Sequence, residues 1–173
     1  MNILIAVGSR SGWTQSVAEW IADEIRTAGH TVTLSPAADA PAPSTFDATF
    51  VGAGIRAGNW NKDAARYLST HAAALATTPL VTFISCLGAS GPSPKAQAEV
   101  ASYTTEALKK AGATAVFHGS HTGGYDPQRV SLPERLIMRA IRQHAPVDLR
   151  DEERVRTWTR EALAALTQPR PLQ

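Results

Sequence analysis

The sequence predicts an α/β fold: a doubly wound, five-stranded parallel sheet, ordered 2-1-3-4-5, with helices on both faces. Two observations carry that expectation. Short apolar runs alternate with stretches of helical period along most of the 173 residues, which is the pattern of repeated strand–helix–strand units. Glycine-bearing loops follow the first, third and fourth apolar runs, and in that strand order these loops meet at the point where the winding reverses.

The elements follow in order. Ile3-Leu4-Ile5-Ala6-Val7 is the first strand. A helix is expected from Thr14 to Ala28, because Val17, Trp20, Ile21 and Ile25 recur at helical spacing and Gly29 ends the pattern. Thr31-Val32-Thr33-Leu34 is a second strand, and Pro36 to Ser44 is a loop. The third strand is Ala48 to Ala53, followed by a turn from Gly54 to Trp60 and a helix from Lys62 to Ala76. Leu80 to Ser85 is apolar as a central parallel strand should be. A loop from Cys86 to Ser93 leads to a helix from Pro94 to Ala111, closed by Gly112. Ala113 to His118 is expected as the fifth strand, Gly119 to Tyr125 as a flexible lead, Leu132 to His144 as a helix and Asp151 to Leu166 as the last helix.

One domain over residues 1–167 is expected, with residues 168–173 as a frayed tail. A formal charge of +2 and a pI near 8.9 are too weakly basic to argue for a nucleic-acid partner. One cysteine, Cys86, excludes an internal disulfide and suits a reducing compartment. With no signal-like segment and no apolar run of membrane-spanning length, a cytoplasmic protein is expected. No compact set of His, Cys and carboxylates has metal-ligand spacing.

The turn Gly8-Ser9-Arg10-Ser11-Gly12-Trp13-Thr14 stands between a strand and a helix N-terminus. The first amides of a helix have no intrahelical partner and carry partial positive charge, so this order builds an anion site. Hydroxyls of Ser9, Ser11 and Thr14 add donors, and Gly12 permits close approach. The turn lacks both the Gly-x-Gly-x-x-Gly of dinucleotide folds and the Gly-Lys-Ser/Thr of triphosphate loops, which leaves a phosphate monoester as the guest. The plainer alternative is a turn whose Ser and Gly serve as caps.

In these pieces the chain resembles the flavodoxin-like FMN proteins. It is most similar to the flavodoxin-domain family of menaquinone-dependent protoporphyrinogen IX dehydrogenases. The residues that carry the likeness are Ser9 to Thr14, Gly52 to Gly58, Tyr125-Asp126-Pro127, Glu134 to Ile141, Asp148 to Asp151 and Val155 to Trp158. The resemblance implies FMN, its phosphate on Ser9, Arg10, Ser11, Gly12, Trp13 and Thr14. Gly54, Ile55, Arg56, Ala57 and Gly58 would line one side of the isoalloxazine. Ser85, Cys86, Leu87 and Gly88 would form the other wall. The loop after Ser85 departs from the pattern in having no aromatic to stack on the flavin.

Residues 119–150 set the chain apart from a short electron carrier. Arg135, Arg139 and Arg142 share a helical face, with Arg129 upstream, and that face suits a tetrapyrrole's propionates or anionic lipid. The alternative is that Leu136, Ile137, Ala140 and Ile141 pack on the domain while the arginines are solvated. His121 and Tyr125 are the candidates for proton transfer, with a surface loop histidine as the alternative for His121. The resemblance therefore implies an FMN oxidoreductase that passes electrons from a tetrapyrrole substrate to a quinone, with peripheral contact at the inner face of the cell membrane. The second reading is an FMN electron carrier with a redox-partner protein, and the third is an interaction domain without FMN.

Overall fold

The computed structural model describes residues 1–130, 132–140 and 145–167, and the side chains at 133, 134, 137 and 139 lie outside that description. The chain runs through β1 (Asn2–Gly8), α1 (Trp13–Thr27), β2 (Thr31–Pro36), β3 (Ala48–Arg56), β4 (Asn59–Trp60), α2 (Lys62–Thr70) and α3 (Ala72–Leu75). It continues through β5 (Leu80–Cys86), α4 (Pro94–Ala111), β6 (Phe117–Thr122), β7 (Gly124–Tyr125), α5 (Leu132–Ala140), β8 (Val147–Asp148) and α6 (Glu152–Thr167). The parallel strands pair in the order β2-β1-β3-β5-β6, which is the 2-1-3-4-5 order expected from the sequence.

The two faces of the sheet follow from the alternation of side chains along each strand. Ile3, Ile5 and Val7 of β1 pack with Val17, Ile21 and Ile25 of α1 and with Val155 and Leu163 of α6. Leu4 and Ala6 turn the other way, onto Ala64 and Leu68 of α2 and Val100 of α4. Each fully buried aliphatic side chain contributes roughly 1.5–3 kcal/mol by leaving water. Glu24 of α1 accepts hydrogen bonds from Arg156 (3.3 Å) and Arg160 (3.0 Å) of α6, so the last helix is tied to the first at its rim.

Several expected boundaries are corrected. The fifth parallel strand is Phe117–Thr122, four residues later than expected at its start, and it absorbs much of the lead from Gly119 to Tyr125. Packing decides this register: the Trp158 indole of α6 lies against Gly119, where a Cβ would come within 2.4 Å of it. The small polar residues of β6 gave no apolar run to read. The turn expected at Gly54 to Trp60 is a hairpin: β3 runs on to Arg56 and β4 returns antiparallel, with Ile55 opposite Trp60 and Arg56 opposite Asn59. Its two loop residues, Ala57 (φ +47°) and Gly58 (φ +75°), both take the left-handed conformation that a tight hairpin turn requires. The helix expected from Lys62 to Ala76 breaks at His71, whose φ and ψ of −107° and 15° leave the helical region. The expected helix to His144 is described as far as Ala140, and Ile141, Arg142 and residues 168–173 lie outside the described residues.

Candidate functional site

The carboxyl ends of β1, β3 and β5 open into one cavity of about 910 Å³, within the usual range for small-molecule sites. Its lining includes Ser9, Arg10, Ser11, Trp13 and Thr14 after β1, Gly54 to Lys62 around the β3–β4 hairpin, and Ser85 to Gly88 after β5. These are the three loops that the strand order brings together. Close backbone packing fixes them to one another. A Cβ on Gly8 would lie 2.5 Å from Asn61 Oδ1, and a Cβ on Gly54 would lie 2.9 Å from Thr14 Oγ1. Asn61 accepts from the Asp63 amide (2.9 Å) and so caps α2 where that helix meets the cavity.

The turn after β1 has the geometry of an anion cradle. Gly12 takes φ +84° at the N-cap of α1, and no side chain caps that helix. Its first-turn amides are therefore left for a ligand or water, with the helix dipole behind them. Thr14 is buried, Ser9 and Ser11 are half-buried, and Arg10 is exposed at the rim.

The distal segment forms the rest of the wall. Gly123, Gly124, Tyr125, Arg129, Val130 and Met138 all line the cavity. β7 pairs antiparallel with β8, the Gly123 amide donates to Cys86 O (3.1 Å), and the Leu149 amide donates to Gly123 O (3.1 Å). Gly124 lies so close over the Trp13 ring that a Cβ there would be 2.7 Å from it. Arg150 stacks on Trp13 and Trp20, its guanidinium carbon 4.6 and 5.1 Å from the ring centroids, while Asp148 accepts from its Nε (2.8 Å) and Nη2 (2.6 Å). This charged hydrogen bonding holds the Asp148 carboxyl below its ordinary range.

Three buried polar atoms on cavity-lining residues have no hydrogen-bond partner among the described residues: Trp13 Nε1, Trp60 Nε1 and Tyr125 Oη. Each of these atoms is itself shielded from the cavity, so they are unpaired groups of the wall rather than contacts offered to a guest. The loop after β5 carries no aromatic, as read from the sequence, and the aromatic surface of the cavity comes from elsewhere. Trp60 is buried in the wall, and Tyr103 of α4 stands across from Gly58 at the rim, its hydroxyl donating to Glu99 (2.9 Å). Tyr103 was legible as a helix residue, but its place beside the hairpin depends on how α4 packs across the sheet.

The remaining candidates divide. Tyr125 lines the cavity, whereas His121 is not among the lining residues. His121 is buried in β6 rather than exposed on a loop, with its ring edge-on to Trp158 at 4.8 Å. Burial, reinforced by Arg154 and His118, pushes its pKa down to about 4, so it is neutral at pH 7. Burial likewise pushes the Cys86 thiol up, which keeps it protonated as a small filler in the wall. On α5, Leu136 and Ala140, two of the residues that the alternative reading packs on the domain, are exposed, while the Ile137 side chain and Ile141 lie outside the described residues. Leu132 and Leu136 are 71% and 67% exposed, while Arg135 is half-buried and Met138 faces the cavity. The side chain of Arg139, and Arg142 as a whole, lie outside the described residues. Among the described residues no three His, Cys, Asp or Glu gather as a metal site, and no helix is long and apolar enough to cross a membrane.

Comparison with known proteins agrees with the architecture. No curated protein matches the sequence. Among solved structures, oxidised flavodoxin 1 from Bacillus cereus superposes with a TM-score of 0.57 at 18% identity, covering 95% of this chain and 98% of that one. The C101A mutant of flavodoxin from Pseudomonas aeruginosa gives 0.56 at 18% identity, with 97% and 100% covered. Rubredoxin oxygen:oxidoreductase from Desulfovibrio gigas gives 0.51 at 18% identity, covering 96% of this chain and 37% of the larger enzyme. At such identities the likeness establishes the fold. The family model for the flavodoxin domain matches residues 4–148, and the chain belongs to the flavodoxin-domain family.

Proposed function

We propose that the protein is an FMN-dependent oxidoreductase of the quinone-dependent protoporphyrinogen IX dehydrogenase type. The residues fit the cofactor. The uncapped start of α1 with Ser9, Ser11 and Thr14 would hold its phosphate, and the hairpin and the loop after β5 would flank its ring system. The wall between them is largely apolar, as the flat ring system of a flavin requires. When bound, FMN supplies two-electron redox chemistry, so converting the porphyrinogen to the porphyrin, a loss of six electrons and six protons, takes three turnovers and reduces three quinones to quinols.

The observation that carries the enzyme reading over the carrier reading is the distal wall of the cavity. Tyr125, Arg129, Val130 and Met138 belong to the cavity itself, so the segment after β6 shapes what enters. The chain's own residues bind and orient. Tyr125 is buried in the wall with its hydroxyl turned away from the cavity, and Val130 and Met138 give the mouth apolar surface. His121, neutral and walled off against Trp158, takes no part in proton transfer at the cavity. The flavodoxins that the chain superposes on along nearly their full length keep the carrier as the second reading.

The discriminating experiment is anaerobic turnover of protoporphyrinogen IX by FMN-loaded protein, with and without a menaquinone analogue. Porphyrin fluorescence that requires both protein and quinone is the expected result. No porphyrin above the protein-free control, from protein that holds FMN, leaves the carrier.

A further inference from the structure

We propose that Arg129 is the charge partner of the cofactor phosphate, so that the distal segment makes the site selective for a phosphorylated flavin over riboflavin. This inference rests on the FMN reading and gives Arg129 a different task from the tetrapyrrole or membrane face expected from the sequence.

A phosphate monoester carries close to two negative charges at pH 7, while a helix N-terminus offers about half a positive charge. The amides of the turn leave part of that charge uncompensated, and a cation beside it adds attraction. Arg10 of the turn itself is exposed at the rim, whereas Arg129 lies over the turn. Its Nη1 lies 3.5 Å from the Ser11 carbonyl oxygen and 3.6 Å from where a Cβ on Gly12 would stand. Its guanidinium carbon is 5.1 Å from the Trp13 ring centroid. Ser11, Gly12 and Trp13 are consecutive residues of the anion turn.

Two further observations separate Arg129 from its neighbour. Arg150 also reaches Trp13, but Asp148 engages it through two short hydrogen bonds and two tryptophans stack on it, so its task is to clamp the segment down. Arg129 is 53% exposed and forms a long ion pair, its Nε 3.5 Å from Asp126 Oδ2. Asp126 is occupied in capping the turn Pro127–Arg129, where Oδ1 accepts from the Gln128 amide (2.8 Å) and the carbonyl from the Arg129 amide (3.0 Å). Arg129 is thus held over the turn by an Nη1 hydrogen bond to Ser11 O and an Nε ion pair to Asp126, both 3.5 Å and looser than the contacts on Arg150, so its guanidinium can turn to a phosphate. A planar guanidinium suits bidentate contact with phosphate oxygens.

The test is to measure FMN and riboflavin dissociation constants for the wild-type chain, Arg129→Gln and Arg129→Lys by calorimetry at two salt concentrations. The expected result is at least a tenfold loss of FMN affinity in Arg129→Gln, with riboflavin affinity unchanged, a weaker salt dependence and partial recovery in Arg129→Lys. Equal weakening for FMN and riboflavin would show a structural role instead and overturn the proposal. Wild-type protein that binds FMN, beside an Arg129→Gln variant that binds it equally well, overturns this inference alone. Wild-type protein that takes up no FMN removes the cofactor reading and this inference together.

Discussion

At the scale of single residues, the chain places strained or desolvated groups where packing leaves no alternative. Ala57 holds a left-handed backbone at the tip of the cavity hairpin, a conformation that costs a non-glycine residue about 1 kcal/mol. His121 is the buried titratable case. Its pKa falls from the usual 6.5 to about 4, first because burial disfavours the charged ring. Between those values the unfolded chain binds a proton that the folded chain refuses. Stability is therefore complete above pH 6.5 and is lost as pH falls toward 4, by up to roughly 3 kcal/mol. His118, also lowered by burial, acts in the same direction. Urea unfolding at pH 7 and pH 4.5 is expected to show a clearly smaller drop for His121→Phe than for the wild type. An equal drop in both would mean that His121 is not the group responsible.

At the scale of elements, the edge strand β6 and the helix α6 define each other. Trp158 fills the space over Gly119, donates to the His118 carbonyl (3.3 Å) and packs against Phe50, Phe83, Phe117 and His121. Gly119→Ala drives a methyl into that ring, and the surrounding rings leave it little room to move. The expected cost is about 1–3 kcal/mol, read as a lower denaturation midpoint with an unchanged slope. Unchanged stability would show that the indole is not seated on the strand. The same contact explains the misplaced fifth strand. The run Phe117-His118-Gly119-Ser120-His121-Thr122 has neither apolar alternation nor β-branched density, so its identity as a strand comes from the partner helix and from pairing with β5. The central strands needed no such help, since Ile3 to Val7 and Leu80 to Ile84 are apolar on both faces because both faces are covered.

At the scale of the whole molecule, the strand order was legible because alternation and loop composition point to it together. The meeting of the three loops followed from that order. What the sequence did not disclose is how residues 119–150 return to the cavity. Gly124 on Trp13, Arg150 between Trp13 and Trp20, and Arg129 beside Ser11 are contacts across more than a hundred residues, and no local pattern encodes them. The orientation of α5 was hidden for a related reason. Periodicity finds an apolar face but does not say whether it turns inward, and here Leu132 and Leu136 turn outward while Met138 faces the cavity.

The central claim is that the uncapped start of α1 and its converging loops form a flavin-phosphate site. The most direct measurement is calorimetric titration of FMN into the wild-type chain and into Gly12→Asp. That substitution strains a φ of +84° and sets a carboxylate in the anion cradle. One FMN bound per wild-type chain, with affinity at least tenfold weaker in the variant, a difference of about 1.4 kcal/mol, is the expected result. No uptake by the wild type, or equal uptake by both, would contradict the claim.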